Sequence, residues 1–135
     1  AAKEGKTSTG HASPGGEGMV PVPMNMFLKT GKSTLEEMIA STQKGLWITR
    51  FHYTRPVHPL KLIVTGMTRD GTFLVEKGEV RYPVKNLRFT QSYLDALNAV
   101  QLIGKEARLR DSESSYNVAP ALKLSKFTFT GATEF

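Results

Sequence analysis

Apolar positions recur along this chain mostly at spacings of two, in short runs broken by Gly and Pro. Residues 46–54, LWITRFHYT, put Trp47, Thr49, Phe51 and Tyr53 on one side and Leu46, Ile48, Arg50 and His52 on the other. Strict alternation with aromatic and β-branched content predicts a strand, and Pro56 and Pro59 punctuate the residues just beyond it. Residues 60–65, LKLIVT, predict a short strand leading into a turn-rich GMTRDG. TFLVEKGEVRYPV then reads as two strands joined at Glu76–Glu79, with Gly78 supplying the positive φ of a tight hairpin. Pro83 has no N–H to donate, so it belongs at an edge or bulge before VKNLRFT resumes.

Helical spacing shows twice. Ser33 and Glu36 have the spacing of a capping box, Leu35, Met38, Ile39 and Thr42 share one face behind them, and Gly45 closes the segment. Ser92 and Asp95 open a second helix with Leu94, Leu97, Val100 or Gln101, and Ile103 at helical spacing up to Gly104. Residues 105–119 are polar and turn-rich. APALKLSKFTFTG is a last strand whose apolar parity changes between Leu124 and Phe127, which a bulge near Ser125 would reconcile. Helices set apart from runs of strands mean α+β: a curled, mostly antiparallel or mixed β-sheet, barrel-like, with two amphipathic helices.

Residues 1–25 differ in kind. Gly10, Gly15, Gly16 and Gly18 with Pro14, Pro21 and Pro23 sustain neither a helix nor a central strand, so an extended arm or loop is expected there. Met24, Met26 and Leu28 give a weak strand signal after it. The expected division is an arm over 1–25 and one β-rich domain over 26–135, since 135 residues suit a single modest core. The missing initial Met points to a processed product or a fragment.

With mean hydropathy -0.28 and apolar runs of only a few residues, nothing approaches the roughly 20 residues of a membrane-spanning helix. Soluble protein with no membrane partner is the expectation, and the N-terminus lacks the apolar core of a secretory signal. The absence of Cys excludes disulfides, thiolate nucleophiles and Cys-ligated metals, and favours a cytoplasmic setting. Net charge is +6, which would draw polyanions, yet the cations fall singly among apolar residues as on solvated strand faces.

Little enzymatic chemistry is legible. His11, His52 and His58 are the only histidines, and none stands in an HxH or HExxH spacing. There is no GxSxG nucleophile elbow. TGKST at 30–34 ends like a phosphate loop, but Met26 occupies the position of its first glycine. Trp47, Phe51 and Tyr53 have the makings of a base-stacking stripe, though such a stripe is more often core.

The run GKSTLEEMIASTQKGLWITRF, then TGMTRDGTFLVEKGEVRYPVKNLRFT, a helix ending in IG, and APALKLSKFTFTG resembles the C-terminal domain of the PmbA/TldD family. The family's elements fall on Ser33–Ile39, Gly45–Thr49, Thr65–Gly71, Gly78–Val84, Leu94–Gly104 and Ala119–Gly131. The resemblance implies a peptidase system once named a modulator of DNA gyrase, of which this chain is about the last third. Active members carry HExxxH upstream and a Cys near the C-terminus. Neither occurs here, and the stretch Asp111–Tyr116, where that Cys would fall, offers Ser and Glu. The resemblance is therefore closer to the non-catalytic PmbA/TldE partner, and zinc is expected only in a catalytic family partner.

The expected role is peptide binding and assembly with a family-related subunit, as homo- or heterodimer, without catalysis or a cofactor in this chain. The competing reading is a basic nucleic-acid-binding or gyrase-interacting module. A surplus of strands leaves sheet edges that take an extended peptide by strand addition. The residues expected to border such a groove are Thr65, Gly66, Arg69 and Gly71 of the TGMTRDG turn, the glycines for close backbone approach and Arg69 for a carboxylate or carbonyl.

Overall fold

A computed structural model describes residues 2–15, 18–23, 25–112 and 115–132. The central element is β4 (Ile63–Glu76), paired antiparallel along its whole length with β3 (Lys44–His58). The other edge of β4 is shared. β5 (Glu79–Pro83) pairs with its Phe73–Glu76 end and β6 (Leu87–Ser92) with its Ile63–Met67 end. β9 (Phe129–Ala132) continues from β6, so the sheet runs β3-β4-β6-β9 with β5 beside β4. It ends at β3 and β9 and does not close, which corrects the barrel-like expectation while keeping the α+β, antiparallel one.

The predicted hairpin at Glu76–Glu79 forms, with Lys77 and Gly78 at φ 53° and 80° as a two-residue primed turn requires. Pro83 ends β5. The chain then crosses between β5 and β6, and here Val84 N donates to Thr72 O (2.8 Å) and Leu87 N to Thr68 Oγ1 (3.0 Å). Thr68 and Thr72 are buried, and the Thr72 hydroxyl donates to that of Thr68 at 2.7 Å. The Thr68 hydroxyl thus does inside the sheet what a ladder strand would do, satisfying the Leu87 N–H, and the Thr72 hydroxyl holds it in place.

Several elements depart from the sequence expectation. Helix α1 spans Leu35–Ala40, and its N-cap is Thr34, not Ser33: Glu37 N donates to Thr34 Oγ1 and Thr34 N to Glu37 Oε2. Two overlapping S/T-x-x-E patterns compete here, and Ser33 is taken by the backbone, bridging to Gly104. Helix α2 spans only Tyr93–Asn98, capped by Ser92 as expected. Val100–Ile103, expected as its last turns, begin β7 (Val100–Ser112), which pairs with β8 (Ser115–Leu124) as a separate two-stranded ribbon. The polar residues 105–119 are thus largely strand, held by the β7–β8 ladder rather than by apolar alternation. No bulge at Ser125 continues β8 into β9. Ser125 N caps Ala99 O at 2.8 Å and the chain changes sheets. β3 likewise runs on through Pro56, an edge strand tolerating the missing donor.

Within the segment expected to be an arm, β1 (Ala12–Gly15) and β2 (Gly18–Pro21) pair antiparallel with each other alone. No strand forms at 25–28; instead Leu28 N and Met26 O bond Val118 on β8. The core is small: among the described residues, Met38, Val75, Phe89 and Ala96 are the buried apolar ones. Around Phe89 the rings of Phe51 and Phe127 meet it at 4.7 and 5.3 Å, and Phe127 stacks on Phe51 at 5.3 Å. Buried Gln91 accepts from Thr128 N at 2.9 Å and fixes the segment that carries Phe127.

Candidate functional site

Strand β3 is the long boundary of the sheet, with β4 its only strand partner among the described residues. From Lys44 to Ile48 and again from Arg50 to His52 its register with β4 is regular; shifts fall at Ile48/Arg50, His52/Arg55 and Pro56/His58. At the first, Thr49 faces both Asp70 and Gly71, so β4 carries the extra residue. The Thr49 hydroxyl reaches the carbonyl oxygens of Arg69 (3.2 Å) and Gly71 (3.1 Å), and Arg50 Nε meets Asp70 Oδ2 at 2.7 Å. Asp70 has φ 64°, the left-handed conformation a bulge of this kind asks of its first residue. At the second shift Tyr53 and Thr54 oppose Gly66, with Tyr53 at φ 55°.

These bulges explain both glycines that sequence reasoning singled out. A Cβ on Gly66 would stand 2.6 Å from the Phe89 ring and 3.2 Å from His52 O; one on Gly71 would stand 2.8 Å from Phe73 and 3.1 Å from Thr49. TGMTRDG is therefore the bulged interior of β4, not a turn. Thr65 pairs with Arg55 on one side and Thr90 on the other, and its hydroxyl donates to Phe89 O at 2.9 Å. Arg69 is exposed beside Asp70, 3.9 Å away. The four predicted residues lie on one strand behind the edge.

Sequence reasoning passed over the residues at the edge itself. The Arg55 guanidinium carbon sits 4.2 Å from the centre of the Tyr53 ring. Nearby, burial pushes the Tyr93 phenol up from its usual range, opposed by a hydrogen bond with Thr54. The signal is present as alternating basic and aromatic residues after Ile48, but parity alone groups Tyr53 with Trp47 in one stripe. The bulge splits them: Trp47 stacks on Phe73 (5.2 Å), while Tyr53 is exposed.

Among the described residues no three of His, Cys, Asp or Glu come close enough to hold an ion. The stretch Asp111–Tyr116 lies at the tip of the β7–β8 ribbon, with residues 113–114 outside those described. Nor is any described helix long and apolar enough to cross a membrane.

Residues 1–131 match the family model of the PmbA/TldA metallopeptidase C-terminal domain. The chain belongs to the PmbA/TldD family. Two Buchnera aphidicola proteins named metalloprotease TldD homologues, from subspecies Schizaphis graminum and Acyrthosiphon pisum, are 24% and 21% identical over 92% and 94% of the chain. The chain spans 28% of the length of either. In fold it is similar to TldE from Thermococcus kodakarensis, with TM-score 0.76 and 18% identity over 95% of this chain and 29% of that one.

Proposed function

We propose that this PmbA/TldD domain binds extended peptide by strand addition and docks a family-related subunit, leaving metal chemistry to a catalytic partner that holds the zinc. The observation that carries the reading is the edge of β3, a 15-residue strand with one strand partner among the described residues. Such an edge offers backbone N–H and C=O groups to any extended chain, and side chains only modulate the choice, which suits a peptidase system with varied substrates. Thr65, Gly66, Arg69 and Gly71 contribute from behind: the bulges they permit set the path of β3. On this reading the protein works in the cytoplasm, as a homo- or heterodimer.

Hydrogen exchange tests it. Adding an uncharged, Thr- and Val-rich extended peptide to the chain slows exchange of β3 amides within Lys44–His52 and leaves the β7–β8 ribbon unchanged. Protection confined to the ribbon, or none at any peptide concentration, refutes strand addition at this edge.

A further inference from the structure

The edge has a charge of its own. Between Glu37 and Asp70 the sequence contains Lys44, Arg50, Arg55, Lys61 and Arg69 and no carboxylate. That stretch is the whole of β3 and the first half of β4. Some of the charge is answered: Arg50 by Asp70 at 2.7 Å, and Lys44 loosely by Glu76 at 3.9 Å. Asp70 also stands near Arg69, 3.9 Å away. Arg55 has a different neighbour, the ring of Tyr53.

A cation that merely guards an edge against self-association works by staying solvated, and its orientation does not matter. Arg55 is oriented. It lies on Tyr53, whose left-handed backbone (φ 55°) turns at the bulge just past the regular run Lys44–His52. Stacking on a ring leaves the planar edge of a guanidinium free to form paired hydrogen bonds with a carboxylate. A peptide added along Lys44–His52 would therefore run out beside a fixed guanidinium at the point where the ladder breaks.

We infer that the β3 edge selects acidic extended peptides, with a carboxylate side chain or C-terminus received by Arg55 on its Tyr53 platform. This rests on the strand-addition reading above and adds a substrate class to it. Backbone pairing supplies sequence-independent affinity; Arg55 supplies the charge preference.

The experiment compares three labelled peptides of about ten residues, identical except for Glu, Gln or Lys at alternate positions, by fluorescence anisotropy with the full chain at about 50 and 200 mM salt. The Glu peptide is expected to bind about tenfold more tightly than the Gln peptide at the lower salt, and the Lys peptide most weakly. Arg55→Gln abolishes the difference, Tyr53→Leu narrows it, and Arg55→Lys restores part of it. Circular dichroism and melting of each variant show that the fold is retained. Equal affinity for all three peptides, with β3 amides still protected, overturns the charge preference and spares strand addition. Failure of every peptide to bind overturns both. A single-stranded oligonucleotide bound more tightly than the Glu peptide, and lost in Arg55→Gln, overturns the peptide assignment in favour of nucleic acid.

Discussion

Thr68 and Thr72 show how much one side chain holds in a sheet with so small a core. The Thr68 hydroxyl oxygen accepts from Leu87 N and from Thr72, and it donates toward Asn86 Oδ1. Thr68→Val keeps the shape and strands a buried N–H, a loss of about 1–3 kcal/mol read by urea unfolding. Thr68→Val with Thr72→Val should cost less than the two single losses added, because the second change removes a hydroxyl the first has already orphaned. Gly66→Ala forces a methyl against Phe89 and should cost about 1–3 kcal/mol. A neutral outcome would mean that the Phe89 ring moves aside freely. Tyr93 supplies a pH dependence. Its folded pKa is raised, chiefly by burial, so its contribution is fully present below the ordinary phenol pKa near 10 and lost as pH rises through the folded value. Absorbance titration should show a late phase from Tyr93, and Tyr93→Phe should remove that late phase and soften alkaline unfolding. Gly66 and Gly71 were visible in the sequence as close-approach residues. That they serve bulges was not, because a bulge depends on which residue stands opposite, and the partner strand is chosen only on folding.

At the scale of elements, the legible parts were those written in local chemistry. The Gly78 turn, the Ser92 cap and the edge position of Pro83 each follow from one residue's own backbone demands. The α1 cap failed because Ser33 and Thr34 both satisfy the local rule with Glu36 and Glu37, and the choice is made elsewhere, by the bonds of Ser33 N to Ile103 O and Lys105 N to Ser33 O. Thr34→Ala should therefore cost about 1 kcal/mol and Ser33→Ala far less, by thermal melting. The opposite order would make Ser33 the cap. The same tertiary reach explains α2. Val100 and Ile103 stand at helical spacing after Leu97, yet Ala99 N closes the helix on Ala96 O and Asp95 O, and Ser125 N takes the carbonyl of Ala99. A distant strand end thereby fixes the last turn. The candidate edge was legible as the run of alternating residues in β3 but not as an edge, since strand order is a property of the sheet.

The whole molecule exposes more than a finished globule of its mass would. A compact 14.9 kDa protein has about 7,000 Å² of accessible surface, against 10303 Å² here. Part of the excess is the β1–β2 hairpin and the β7–β8 ribbon, each a two-stranded sheet separate from the main one among the described residues. Part is apolar: Leu60 is 94% exposed and Phe27 77%, with Met26, Leu94, Leu97, Leu109 and Tyr116 all above half. Isolated exposed apolar residues are ordinary, but so many beside so few buried ones are what a unit that completes its core against another would present. The TldD relatives are more than three times as long as the region matched, which is the context in which such a surface would be covered. The isolated chain is therefore expected to melt at low temperature and to bind a hydrophobic dye while folded. Adding a family-related subunit should raise its Tm in a concentration-dependent way and displace the dye, because binding stabilises by mass action whatever face it uses. Replacing Leu60, which touches little in the chain itself, by Ser should leave the melting of the isolated chain unchanged. If the same replacement also leaves the subunit-induced rise in Tm intact, the turn between β3 and β4 is not part of the docking surface, and the partner sits on the ribbon or on α2 instead.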